Sequence, residues 1–270
     1  MKLKFAIGMA TILFGIVFSF SLKAVSAEVE GSVANPDMVL IPGGTFTRGS
    51  TEKDIQWVAE KFFSATLEWY RDETPAHEVD LKAYYIDRYE VTNVEFLKFR
   101  EAVPGRNPKF MDNPRFNKLR HPIVGIAWQE AVDYCRWAEK RLPTEAEWEK
   151  AARGTDARHY PWGNEPDKTK SNVRGLQDEN RYTAPIGDYE EGKSPFGVHD
   201  MAGNVWEWTS DWYQPYAGNK QENNLYGTSL KVIKGGSWHS NMDLARSAIR
   251  GKAIPYQPQN YIGFRCARDS

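Results

Sequence analysis

The apolar positions of this chain keep three different rhythms. From Phe5 to Phe20 they run almost unbroken behind Lys2 and Lys4. A charged start, a short apolar stretch and the small residues of Val25-Ser26-Ala27 read as a secretory signal cleaved after Ala27. The stretch is short for a bilayer span and is interrupted by Gly8 and Gly15. Residues 28–36 show no periodicity and read as a flexible lead-in. The second rhythm mixes strand and helix. Val39 to Phe46 predicts a strand running into a Gly43-Gly44 turn, and Ile55, Val58, Ala59 and Phe62 fall at helical spacing. Val79, Leu81, Ala83 and Tyr85 alternate with Asp80, Lys82 and Tyr84 and predict one strand over 79–86.

Thr92-Asn93-Val94-Glu95 and Thr144-Glu145-Ala146-Glu147 are capping boxes, in which each side chain satisfies the other residue's free backbone N–H. The first opens a helix carrying Phe96, Phe99 and Val103. The second opens one that stops at Gly154, a residue suited to a left-handed end. Between them lie a Pro- and Asn-rich loop over 104–122 and a helix through Trp128, Ala131, Cys135 and Ala138. Past Gly154 the third rhythm begins. Gly, Asn, Asp, Pro and Trp dominate, with short strands predicted at 206–209, 231–234 and 262–266. No linker divides the chain, so residues 37–270 read as one α+β domain. Irregular backbone must still satisfy its N–H and C=O groups, so such a domain needs cations, cross-links or large aromatic plates to hold it.

Composition narrows the function. With the leader removed, 32 basic face 36 acidic residues, a net charge of about -4. That leaves no basic excess to neutralise a phosphate backbone, so nucleic acid is not an expected partner. The two cysteines, Cys135 and Cys266, favour one disulfide in an oxidising compartment, the alternative being two buried thiols. The five histidines form no HExxH-type spacing, and no phosphate-binding Gly-rich loop is present.

Several runs together resemble the formylglycine-generating-enzyme (sulfatase-modifying factor) family. They are Met38 to Gly44, Tyr89-Glu90-Val91-Thr92-Asn93, His121-Pro122, Ala131 to Cys135, Lys140 to Glu149, Pro161 to Asn164, Asp200 to Trp208, Gly235 to Trp238 and Gly263 to Cys266. Their order covers about residues 37–268. The resemblance implies a domain with a C-type-lectin-like core and little regular structure, and a bond between Cys135 and Cys266. It also implies one or two structural calcium ions. The first would be held by Asn172, Asp178 and the carbonyls of Val173 and Asn180. The second would be held by Asp200, Glu207 and the carbonyls of Gly203 and Val205. Hard oxygen donors of this kind suit calcium. The 203, 205, 207 spacing would put three of them on one side of an extended segment.

At the family's reaction centre the match breaks. Formylglycine-forming members hold copper through two cysteines, and the aligned positions here are Ser240 and Ala245. A hydroxyl and a methyl do not replace soft thiolates for Cu(I), so copper and formylglycine formation are not expected. The candidate pocket is instead Ser237, Trp238, His239, Ser240, Arg246 and Arg250, with Asn241, Asn260 and Tyr261 nearby. In it His239 would serve as acid or base, and the two arginines would clamp a carboxylate. The expected protein is a monomeric, secreted or periplasmic maturation or tailoring factor acting on a peptide or protein, for example in oxidoreductase maturation or pyoverdine-type siderophore finishing. The alternative is a calcium-stabilised binding module that uses Trp212, Tyr213 and Tyr216 as an exposed aromatic surface.

Overall fold

The computed structural model describes residues 38–63, 66–175 and 180–270. The proposed signal, the lead-in and Asp178 lie outside them. The N-terminal part is one antiparallel ribbon broken once. Strand β1 (Met38–Ile41) pairs with β4 (Tyr84–Asp87), and β2 (Gly44–Arg48) pairs with β3 (His77–Leu81). The strand expected over 79–86 is therefore two strands in different sheets. The break at 82–83 faces the break at 42–43, where a side chain on Gly43 would come within 3.0 Å of the Ala83 backbone. The break also shifts the phase: Tyr84 and Ile86 are buried, and Tyr85 is only partly so.

Helices α1 (Glu52–Phe62), α2 (Asn93–Ala102), α3 (Trp128–Trp137) and α4 (Glu145–Arg153) sit where the periodicity places them. Both predicted capping boxes form. Thr92 Oγ1 and Thr144 Oγ1 accept from the backbone N–H groups of Glu95 and Glu147, whose carboxylates accept from the threonine N–H groups. Helix α4 ends at Gly154 as expected, but with φ +71° and ψ -146° that residue is not in the left-handed helical conformation. Val103 departs from expectation, being 40% exposed just past the end of α2.

Strand β5 (Trp206–Trp212) is the spine of the irregular half. It pairs antiparallel with β6 (Lys231–Lys234) and parallel with β8 (Ile262–Gly263), while β7 (Gly251–Ala253) flanks β6. Strand β9 (Ala267–Asp269) returns to pair with β4, so the first and last strands among the described residues share one sheet. Cys135 of α3 and Cys266 are bonded, joining the helical layer to the segment between β8 and β9. The main core lies between α2, α3 and β5, with Phe96, Phe99, Tyr134, Trp208 and Phe264 interlocked. Among the described residues no helix is long and apolar enough to cross a membrane.

Candidate functional site

The segment after β6 is set by a close backbone approach. Gly236 adopts φ +77°, and a Cβ there would meet the Leu244 carbonyl at 2.7 Å and Ala245 Cα at 3.1 Å. Only glycine fits, and the turn carries Ser237 into the interior. Ser240 N–H donates to the Ser237 carbonyl (2.8 Å), and Ser237 N–H donates to Ser240 Oγ (3.1 Å). Ser237 Oγ lies 2.9 Å from His239 Nδ1 and 3.1 Å from Ser240 Oγ. A nucleophile-type hydroxyl, an imidazole and a second hydroxyl thus share one hydrogen-bonded group.

Aromatic rings wall this group. The His239 ring stands 4.8 Å from Trp238 and 4.6 Å from Tyr261 between centroids, and Trp238 packs on Tyr182 and Phe116. Both serines are buried while His239 stays open to solvent. Partial burial, and next the positive charge of Arg174, pull His239 below its ordinary pKa. Its imidazole is therefore neutral at neutral pH and free to take a proton.

Two predicted pocket residues point elsewhere. Arg246 is fully buried and forms two bonds to Glu73, at 2.9 and 2.7 Å. Arg250 is likewise bound to Glu145 at 2.7 and 3.1 Å, and donates to the carbonyls of Asp72 and Gln214. Residues 246 and 250 lie past a short 3-10 turn (Met242–Ala245) rather than on a helix, so their spacing of four does not aim them together. Guanidinium groups satisfied by internal carboxylates cannot clamp a substrate carboxylate. Ala245 sits in a cluster with Tyr160, Val173, Ala202 and Met242, and its own methyl group cannot ligate a metal. The expected aromatic surface also fails: Tyr213 and Tyr216 are buried, and only Trp212, at 38%, is exposed.

Asn172 and Gly203, one from each predicted calcium set, meet beside the Asp200 turn. Gly203 (φ +81°) and Asn204 (φ +55°) are left-handed, so 203–205 is a turn and the extended segment starts only at Trp206. A side chain on Gly203 would come within 2.3 Å of the Asn172 carbonyl, which accepts from Asn204 N–H at 2.8 Å. The two predicted sites are thereby stitched together. Glu207 takes both arms of Arg265 (2.7 and 2.8 Å) and the Trp148 indole N–H (2.8 Å). Its Oε1 accepts one of these bonds and retains a lone pair. Asn172 spends its amide N–H on the Tyr182 carbonyl, which leaves Oδ1 as its available donor.

Sequence reasoning missed Glu90. Its carboxylate is wholly buried beside Asp200 and Glu207; Oε2 accepts from Asn204 at 2.8 Å, and Oε1 has no partner. Burial first, and then the neighbouring acids, raise its pKa far above the usual range and push Asp200 up to about 6. Three buried acids thus share one guanidinium, Arg265, and one carboxyl oxygen, Glu90 Oε1, is unused. An oxygen-seeking cation fits those donors. Glu90 lies inside the Tyr89-Glu90-Val91-Thr92-Asn93 run, but nothing local marked it as buried. Among the described residues no three His, Cys, Asp or Glu side chains converge as a metal site by themselves, so backbone carbonyls would have to complete one.

Comparison with known proteins settles the relationship. Residues 24–270 match the sulfatase-modifying factor enzyme 1-like domain. The chain belongs to this family. The bovine (Bos taurus) formylglycine-generating enzyme is 30% identical over 86% of this chain and 74% of its own length. The serine/threonine-protein kinase pkn1 of Chlamydia pneumoniae is 33% identical over 92% of this chain, which spans only 40% of that protein. Among solved structures, PvdO from Pseudomonas aeruginosa superposes with a TM-score of 0.69 at 29% identity, covering 87% of this chain and 95% of PvdO. The fold is that of the formylglycine-generating enzymes, an α+β domain with a C-type-lectin-like core. This family member carries Ser240 and Ala245 where formylglycine-forming members are expected to carry cysteines.

Proposed function

We propose that this family member is an exported maturation or tailoring factor that acts on a peptide or protein in the periplasm, without copper. The Ser237–His239–Ser240 group supports this reading most directly. It includes Ser240, which the family resemblance would set at a copper-ligand position, and it puts a neutral imidazole 2.9 Å from a buried hydroxyl, with aromatic walls able to seat a chain. His239 would accept a proton from Ser237 Oγ or from a bound substrate, and Ser240 would hold the hydroxyl in place. The likeness to formylglycine-generating enzyme over 86% of the chain supports an action on a peptide or protein.

The test is complementation of a deletion strain with a chain carrying Ser237→Ala, His239→Phe and Ser240→Ala. Loss of rescue with an unchanged melting temperature is expected. Full rescue by the triple variant removes the site from the function. Formation of an aldehyde on a cysteine peptide, in the presence of copper, would instead reinstate the family's oxidase chemistry.

The same reading includes structural calcium. Asp200, Glu207 and the carbonyls of Gly203 and Val205 would hold one ion, with Glu90 balancing its charge. Asn172, Asp178 and the carbonyls of Val173 and Asn180 would hold the other. Each ion would neutralise buried acids and pin irregular backbone. At calcium a hundredfold above Kd, binding to the native state alone adds about 2.7 kcal/mol. EGTA is therefore expected to lower the melting temperature, and calcium but not magnesium to restore it. A melting curve indifferent to EGTA would end the calcium proposal.

A further inference from the structure

Arg246 and Arg250 cannot clamp a substrate carboxylate, but two other arginines stand beside the 237–240 group with their charge unspent. Every buried arginine among the described residues faces a carboxylate. Arg174 and Arg115 do not. Both are exposed, and neither has an ion-pair partner among the described residues.

Arg174 is placed by its backbone, whose N–H donates to the Ser240 carbonyl at 2.9 Å. Its charge reaches His239, and among the described residues no carboxylate counters it there. The Lys168 ammonium lies against the next residue, Gly175, where an added Cβ would meet Nζ at 3.0 Å. Two exposed cations side by side make a local field that favours an anion. Arg115 belongs to the aromatic wall. Its guanidinium lies over the Tyr182 ring at 5.3 Å, Tyr182 packs on Trp238, and Trp238 packs on His239. That succession spans at most about 15 Å, the length of four or five residues of extended chain.

Positive charge is concentrated here rather than scattered. Residues 106–120 carry Arg106, Lys109, Arg115, Lys118 and Arg120 against one acid, Asp112, in a chain of net charge -1. This loop meets the site through Phe116, whose ring stands 6.3 Å from Trp238. The neighbouring acids have partners of their own. Asp243 is buried and accepts from the Tyr70 hydroxyl at 2.5 Å, Asp167 accepts from Thr169, and Asp188 accepts from Asn180. Asp178 and Glu179 lie outside the described residues, and Asp178 is spent on calcium in the reading above.

We propose that the substrate is a peptide that bears carboxylates close to its reacting residue. An apolar side chain would rest against Trp238 and Tyr261, and the carboxylates would meet Arg174 and Arg115. The inference rests on the tailoring reading, since it names the substrate class of that site. Exposed ion pairs are individually weak, so the arginines select and steer the chain more than they hold it.

Isothermal titration calorimetry of the purified chain with acetylated, amidated hexapeptides tests it. In these, Phe-Gly is flanked on each side by two glutamates, two glutamines or two lysines. A fourth peptide is the glutamine version with a free C-terminus, which separates a chain-end carboxylate from side-chain ones. A carboxylate-bearing peptide is expected to bind about fivefold or more tighter than the neutral one, and the lysine peptide weakest. The preference should shrink between about 20 and about 300 mM NaCl, as screened surface charges require. Arg115→Glu with Arg174→Glu should reverse it without changing the melting temperature. Equal binding of the neutral and carboxylate peptides overturns the proposal. So does a preference for lysine, a preference unmoved by the charge reversal, or no binding of any peptide up to about 5 mM. In the deletion strain, the charge-reversed chain is expected to lose most of its rescue. Full rescue by it, while the 237–240 triple variant fails, overturns this inference and leaves the tailoring reading standing; rescue by the triple variant ends both.

Discussion

Arg246→Ala is expected to destabilise the protein by about 3–5 kcal/mol, because it strands a buried carboxylate. Glu73 is fully buried, and both its oxygens are held by Arg246. The Ser50 hydroxyl supplies one further bond, at 2.7 Å, too little to neutralise the charge. For a domain of this size each kcal/mol shifts the melting temperature by about 2–4 °C, so a fall on the order of 10 °C should appear in a thermal melt. The pair is costly to break and not intrinsically strong. Arg246→Met combined with Glu73→Leu should therefore recover more than half of the loss. A stable Arg246→Ala protein that loses only its biological activity would return this residue to the substrate groove. Arg250→Ala should cost less, because Glu145 keeps its ion pair with Arg48 at 2.7 Å. The nearby cations hold the Glu145 carboxyl far below the usual range despite its burial.

Removing the Cys135–Cys266 bond should cost about 4–5 kcal/mol by loop-closure entropy, since the cross-link spans 131 residues. Its position adds to that. It ties α3 to the strand segment that carries Arg265 and feeds β9 into the N-terminal sheet. Cys135→Ala with Cys266→Ala leaves two small apolar groups in a dry core and isolates the cross-link effect. Serine at the same positions would add the cost of unpartnered buried hydroxyls. Denaturant unfolding of the double alanine variant, and of the native chain with and without reductant, measures this. Equal midpoints in all three would mean that the ends of the domain hold together without the bond.

Much of the first half was legible because its signals are local. Capping boxes at Thr92 and Thr144 depend on residues three apart, and the helical apolar stripes need only the period of the helix. The ribbon over 38–48 and 77–87 was half legible. Alternation predicts strand, but the kink at 42–43 and 82–83 arises from two strands touching, and that contact shifted the phase of Tyr84 and Ile86.

The candidate site divided along the same line. Ser237, His239 and Ser240 lie within four residues, so their adjacency follows from the sequence. Their hydrogen bonding needed the turn at Gly236 wedged beneath Leu244 and Ala245. Arg246 and Arg250 were misplaced because their partners, Glu73 and Glu145, lie 173 and 105 residues away. Glu90 went unnoticed for the same reason: Asn204, which binds it, is 114 residues distant.

By itself the sequence determined the family and the helices with their caps, since these depend on residue identity and short-range spacing. Only the tertiary structure decided which charges are spent on one another and that a buried oxygen of Glu90 is left without a partner. Those outcomes depend on which distant segments meet in a low-dielectric interior, where an ion's surroundings outweigh its own chemistry.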